Sequence, residues 1–358
     1  LERKDTSFLM RNGFIIDIRD PILVTGSNGF IGSKVVETLL SYGFKNLRCF
    51  VRPSSNLAKL NEMINSSQNN GIEMVKGNLL SRDDCKKAAA GISVIVHLAA
   101  GIEKTFPGSF MNSVITTRNL LDTALQGEKL KRFVNVSSFA VYSTKKLKRG
   151  DVLDETCETE AKPEERHEAY CYGKVKQEEL VREYGKKRNL PYVIVRPGAV
   201  FGPGKKAITG RIGIDTFGIF LHLGGSNRIP LTYVDNCAEA ILLAGIKKGI
   251  DGEIFNVVDD GIPTSREFLR RYKKEVKKFR SIYIPNRLSY GLCYLWELYA
   301  EWSQGQLPPA YNRNRWAAEW KGLLYSNRKA KEILGWKPRI PLDEALRRYF
   351  EYQRGTEA

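Results

Sequence analysis

One stretch, Ile22-Leu23-Val24-Thr25-Gly26-Ser27-Asn28-Gly29-Phe30-Ile31-Gly32, restricts what this chain can fold into more than any other. Four residues suited to a buried parallel strand run into three glycines spaced G-x-x-G-x-x-G. Ser33 to Leu40 then carries the apolar periodicity of a helix. A strand that enters a helix through so tight a turn opens a parallel α/β sheet. The glycines have separate tasks: Gly26 permits the turn, Gly29 lets the backbone approach a ligand, and Gly32 lets the helix pack close to the strand. The N–H groups and positive dipole at the helix N-terminus then face an anion. The pattern predicts a dinucleotide pyrophosphate held by Gly26, Ser27, Asn28, Gly29, Phe30, Ile31 and Gly32.

The rest of the chain supports that opening. Further strands are predicted at Leu47 to Val51, Ile72 to Val75, Val94 to Leu98, Phe133 to Val136 and Tyr192 to Val195, with helical patterns between them. Such alternation predicts an α/β fold of Rossmann type, a doubly wound parallel sheet. From Pro203 onward Gly- and Pro-bearing loops appear, followed by an aromatic stretch from Tyr283 to Tyr325 with four of the five tryptophans. At 358 residues the chain is long enough for two lobes. The expected division is an N-terminal extension (1–20), a Rossmann cofactor lobe (21–198 plus 231–262), and a smaller interleaved substrate lobe (199–230 plus 263–358).

Composition narrows the partners. A net charge of +17 suits nucleic acid, an anionic membrane surface or polyanionic small molecules. Its densest cluster, Arg266 to Arg280, has no nucleic-acid motif beside it and reads as a solvated helix face, so no nucleic-acid partner is expected. The six cysteines lack C-x-x-C spacing and there are three histidines, which predicts reduced thiols, a cytoplasmic setting and no metal site. No apolar run approaches the length of a transmembrane helix. The first 20 residues lack the apolar core of a signal peptide, and because the chain opens on Leu its natural start is expected to differ.

The second strand bears on the cofactor. It ends Cys49-Phe50-Val51-Arg52, with Ser54, Ser55 and Asn56 following, where an NAD enzyme places an acid on the ribose 2′-hydroxyl. Arg52 suits a 2′-phosphate instead, so NADP(H) is favoured over NAD(H). Asn78 and Leu79, after the third strand, can edge the adenine. Tyr170 and Lys174 form Y-x-x-x-K, one helical turn apart on one face. A neighbouring ammonium favours the phenolate and moves a tyrosine from near 10 toward working pH. Tyr172 and Lys176 match the same spacing equally well. Ser137 and Ser138 end the fifth strand at the carboxyl edge of the sheet, where ligands bind, and Ser138 can polarise a substrate oxygen.

Taken in order, these motifs resemble the extended short-chain dehydrogenase/reductase family, in its epimerase/dehydratase branch. The resemblance runs from Pro21 to about Tyr352. It rests on T-G-x-x-G-x-x-G (Thr25 to Gly32), V-H-L-A-A (Val96 to Ala100), S-S-x-A-V-Y (Ser137 to Tyr142), V-R-P-G-x-V-F-G-P-G (Val195 to Gly204), Y-V-D-N (Tyr233 to Asn236) and K-A-x-x-x-L-G-W-K-P (Lys329 to Pro338). It also rests on Y-x-x-x-K-x-x-x-E through Tyr170, Lys174 and Glu178, which selects Tyr170 over Tyr172. The resemblance implies a catalytic set of Ser138, Tyr170 and Lys174. It implies further cofactor contacts from Leu98, Ala99, Ala100, Pro197 and Val200, and a homodimer. Phe139 and Ala140 replace the acidic pair of the family's 4,6-dehydratases, which leaves epimerisation, ketone reduction or alcohol oxidation. Arg228 is in register with the arginine that grips the diphosphate of nucleotide-sugar substrates, so a nucleotide sugar is the expected substrate. A helical apolar stripe, Leu288, Leu292, Leu295, Trp296, Tyr299 and Trp302, is similar to a segment of the hydroxysteroid-dehydrogenase branch and supports an apolar alcohol as the alternative. A cofactor-binding regulator without turnover is a third reading, opposed by the intact Ser138, Tyr170 and Lys174.

Overall fold

Seven short apolar segments pair into one parallel sheet: β1 (Ile22–Thr25), β2 (Leu47–Val51), β3 (Ile72–Lys76), β4 (Val94–His97), β5 (Arg132–Val136), β6 (Tyr192–Pro197) and β7 (Ile254–Val257). Their order is β7-β6-β5-β4-β1-β2-β3, and every pairing is parallel. The computed structural model describes residues 13–66, 71–101, 103–205, 208–216, 218–304, 306 and 311–357. The helices used below are α1 (Phe30–Ser41), α2 (Ala58–Ser66), α3 (Arg82–Ala89), α4 (Thr116–Ala124), α5 (Ala169–Arg188), α6 (Val234–Ile246), α7 (Ser265–Glu275), α8 (Asn286–Trp302), α9 (Arg313–Trp320) and α10 (Leu342–Glu357).

The period of two along a strand explains the layers. Ile22 and Val24 of β1 point to one face and join Val35, Val36 and Leu39 of α1 and Ile241 of α6. Leu23, between them, points to the other face, into a cluster with Ala88 of α3, Leu121 of α4 and Val181 of α5. The sheet is therefore covered on both sides, as continuous apolar strands require. The strand order reverses beside β1, between β4 and β2, and this places a crevice at the carboxyl ends of the strands.

Six of the seven strands coincide with the sequence-based expectation. β7 is not among the expected strands, and it carries polar Asn256. Asn256 is buried all the same, and its Oδ1 accepts a hydrogen bond from the Tyr142 hydroxyl at 2.6 Å.

The second lobe gathers around another core, which includes Phe201, Phe220, Tyr233, Phe268, Tyr272, Leu346 and Tyr349. It holds the sheet Ser281–Tyr283, Ile219–His222, Gly213–Thr216 and two strand pairs. The pairs cross the expected boundaries. Val152–Leu153, assigned to the cofactor lobe, pairs with Leu324–Tyr325, and Leu231–Tyr233 pairs with Ala199–Phe201. Of the expected N-terminal extension, residues 1–12 lie outside the described residues. Its remainder packs on the Rossmann lobe, where Phe14 bridges Lys247 and the Ile15 N–H donates to the Ile246 carbonyl at 2.8 Å.

Candidate active site

The turn between β1 and α1 is as tight as its glycines allow. Gly26 sits at φ +69°, and its carbonyl accepts from the Gly29 N–H at 3.0 Å. A Cβ on Gly32 would lie 2.0 Å from that same carbonyl oxygen. Gly29 caps α1; no side chain caps this end and no acid lies in the first turn. Nothing acidic therefore competes for an anion at the positive end of the helix. The residues present fit a dinucleotide pyrophosphate, which needs close backbone and no competing carboxylate. Ser27 is buried, and its hydroxyl donates to the Phe50 carbonyl at 3.3 Å, tying the turn to β2.

A cavity of about 590 Å³ opens from this turn. Gly26, Gly29, Phe30, Ile31 and Gly32 form one end, Leu98, Ala100, Pro197 and Val200 line its course, and Ser138, Tyr170 and Lys174 face it. The chain brings these together because β5 ends at Val136, Ser138 follows at the sheet edge, and α5 crosses above it. The Ser138 hydroxyl hydrogen-bonds the Tyr170 phenol and accepts from the Ala140 N–H at 3.2 Å. Burial pushes the Tyr170 phenol above its ordinary value, and the serine bond opposes this. Tyr172 lies elsewhere, tilted against Phe106 with ring centroids 5.1 Å apart.

Lys174 is buried in a network that was not expected from sequence. Its Nζ donates to the Val136 carbonyl at 2.7 Å and to Gln177 Oε1 at 3.0 Å. Burial lowers its pKa to about 8, against the pull of Glu178. Gln177 in turn donates from Nε2 to Thr117 Oγ1 at 2.9 Å, and that hydroxyl is 2.9 Å from His97 Nε2. His97 Nδ1 is 2.8 Å from Thr25 Oγ1, so the chain of polar contacts runs back to the glycine turn. Burial holds His97 near 3, hence neutral. Gln177 lies one turn after Lys174, a spacing visible in sequence once the lysine is chosen.

Two motif residues act as structure. Glu178 is buried and clamps Arg196 of β6 through Nε at 2.9 Å and Nη2 at 2.6 Å. These bonds hold its carboxyl below the usual range despite burial. The Arg196 guanidinium stacks over Tyr142 at 4.5 Å. Phe139 is likewise buried, stacked on Tyr325 at 5.7 Å and edge-on to Tyr142 at 5.9 Å.

Other expected site residues stand apart from the cavity lining. Arg52 is exposed at the end of β2. The Asn78 side-chain oxygen accepts from the Leu80 N–H at 3.0 Å, and Leu79 is buried with Leu23, Ala88 and Leu121. Arg228 lies elsewhere: its Nη1 donates to the Ile262 carbonyl at 2.6 Å, and it lines a separate cavity with Asp259 and Glu267. A strand-like bridge to Thr264 holds it there. Lys205 also lines the central cavity. Phe268 and Tyr349 also line it, from α7 and α10, and no local pattern signals them. The apolar stripe of α8 does not border this cavity; its leucines face outward.

The profile of the NAD dependent epimerase/dehydratase family matches residues 22–257. A 3beta-hydroxysteroid-dehydrogenase/decarboxylase of Arabidopsis thaliana (isoform 1) is 26% identical over 361 residues, covering 91% of this chain and 78% of that protein. An uncharacterized UDP-glucose epimerase of Bacillus subtilis is 26% identical over 250 residues, covering 66% of this chain and 76% of its own. A solved structure of UDP-glucuronic acid 4-epimerase from Bacillus cereus, with UDP-glucuronic acid and NAD, superposes with a TM-score of 0.70 at 21% identity. It covers 94% of this chain and 99% of the epimerase, and is a likeness of fold.

Proposed function

The chain belongs to the NAD dependent epimerase/dehydratase family, and from that premise we propose that it interconverts a secondary alcohol and its ketone with Tyr170 as acid–base. It is an NAD(P)-dependent enzyme of the epimerase/dehydrogenase type. The observation that carries the finer reading is the single cavity joining the glycine turn to Ser138, Tyr170 and Lys174. When bound there, a nicotinamide dinucleotide supplies or accepts the hydride. Gly26 to Gly32 hold its pyrophosphate, and the exposed Arg52 supports a preference for a 2′-phosphate. Ser138 orients the Tyr170 hydroxyl toward the substrate oxygen. Tyr170 gives or takes the proton at that oxygen, and the Lys174 ammonium stabilises the phenolate that forms. Gln177 and the Val136 carbonyl hold Lys174 in place. No acid stands at Phe139 or Ala140 to protonate a leaving hydroxyl, so elimination is not part of the reaction.

The lining supports an apolar alcohol as substrate. Phe201, Ile208, Leu231, Phe268 and Tyr349 face the cavity, while Arg228 does not. Over most of its length this chain also resembles the sterol dehydrogenase. A nucleotide sugar is the second reading, favoured by Lys205 at the cavity and by the fold shared with the UDP-sugar epimerase.

Tyr170→Phe tests the assignment. Positioned proton transfer contributes about 10²–10⁴-fold in rate, and the variant should lose that much while binding cofactor normally. The assay is reduction of NADP or NAD with 3β-hydroxysterols, in parallel with product analysis on UDP-, GDP- and dTDP-sugars. An active Tyr170→Phe beside a dead Tyr172→Phe would refute the register, and a 4-keto-6-deoxy sugar product would refute the exclusion of elimination.

A further inference from the structure

Helix α8 is built inside out. Its buried residues are small, Ser289, Cys293 and Ala300. Its large apolar residues point to solvent: Leu288 is 53% exposed, Leu292 51%, Leu295 61%, Tyr299 45% and Trp302 77%. These five recur at steps of four, three, four and three, the register of a single helix face. The helix's charged residues, Arg287, Glu297 and Glu301, fall outside that register. Isolated exposed leucines need no explanation, but a continuous face of this kind marks an interaction surface.

Charge identifies the occupant. The approach to the helix carries exposed Lys277, Lys278, Arg280 and Arg287, on a chain of net charge +17. Like charge opposes a second copy meeting this face, whereas an anionic surface attracts it. Leucines accompanied by tyrosine and tryptophan, with an exposed basic run shortly before them in sequence, are the chemistry of a helix lying in the headgroup region of a bilayer. Among the described residues no helix is long and apolar enough to cross a membrane, so contact takes place in the plane of the surface. We propose that α8 seats this protein on an anionic lipid bilayer, with its Leu288-to-Trp302 face in the acyl boundary and the 277–287 basic residues on the headgroups.

The full chain is sedimented with vesicles of phosphatidylcholine alone and of phosphatidylcholine with about 30% phosphatidylglycerol, at low and high salt. The parent should pellet with the anionic vesicles, less with the neutral ones, and less at high salt. Brominated acyl chains should quench parent fluorescence, and the quenching should vanish in Trp302→Ser. The Leu292→Glu/Leu295→Glu variant, changed at exposed sites, should lose at least about tenfold in partitioning while keeping the parent melting temperature. If that variant does not fold, Lys277→Ala/Lys278→Ala/Arg280→Ala takes its place and should abolish the preference for phosphatidylglycerol. Failure of the parent to bind anionic vesicles overturns the proposal. So does a parent dimer in sedimentation velocity that Leu295→Glu dissolves without any vesicle binding, since a second copy then covers the face.

Discussion

Replacing Gly32 with alanine probes the turn on which the proposed cofactor site depends. The added methyl would stand 2.0 Å from the Gly26 carbonyl oxygen, 2.8 Å from the Gly26 carbonyl carbon and 3.0 Å from Ser27 Cα. All three atoms are backbone, so no side chain can swing away. Relief requires the first turn of α1 to move off β1 by more than about 1 Å, since ordinary contact is near 3.4 Å. That movement disturbs Val35, Val36 and Leu39 in the core and carries the helix N-terminus away from the anion. Overpacking of this kind costs about 1–3 kcal/mol. For a chain of this size that corresponds to roughly 1–4 °C in Tm. Loss of a well-placed helix N-terminus costs up to about 2 kcal/mol of anion binding, so cofactor affinity should fall about tenfold or more. Scanning fluorimetry and a titration of NADH and NADPH fluorescence measure both quantities. Gly291→Ala is the control: it lies in α8 with no atom within 4 Å of the added Cβ, and should stabilise by about 0.5–1 kcal/mol. Parent-like Tm and affinity in Gly32→Ala, or equal damage from Gly291→Ala, would refute the reasoning.

Glu178→Ala leaves buried Arg196 without its carboxylate and should destabilise by about 3–5 kcal/mol in urea unfolding, partly restored by adding Arg196→Met. Arg52→Ala should weaken NADPH binding roughly ten- to a hundredfold and leave NADH unchanged, as measured by isothermal titration calorimetry; tighter NADH than NADPH binding by the parent would contradict an NADP preference. The folded-state pKa of Lys174, about 8, lies below the ordinary 10.5. Between these values the unfolded chain holds a proton that the folded chain lacks, so this group makes the protein more stable as pH rises through the window. The gain reaches up to about 3 kcal/mol, and Lys174→Met should not show it when unfolding free energies are compared from pH 7.5 to 10.5.

The parts of this protein that rest on local stereochemistry were legible in one dimension. Ile22 to Gly32 dictates a strand, a turn only glycine can make, and a helix, because steric exclusion acts over a few residues. Short, largely apolar runs likewise marked six strands, although β2, β3 and β5 carry Arg48, Glu73 and Asn135 within them. Long-range placement was not legible. Arg228 is expected from the resemblance to grip a ligand, yet the Ile262 carbonyl and the Thr264 bridge hold it at another cavity. Asn256 of β7 is polar, and the buried partner of its side chain, Tyr142, lies 114 residues away. The α8 stripe has the periodicity of a core helix. Whether such a face is buried depends on what the rest of the chain packs against it, and here the small side of the helix meets the body while the large apolar side faces out. Chain stereochemistry thus determined the cofactor turn and the parallel strands from sequence alone. Burial, charge pairing and the direction of each exposed face were decided only by tertiary packing, because those free energies belong to pairs of segments far apart in sequence.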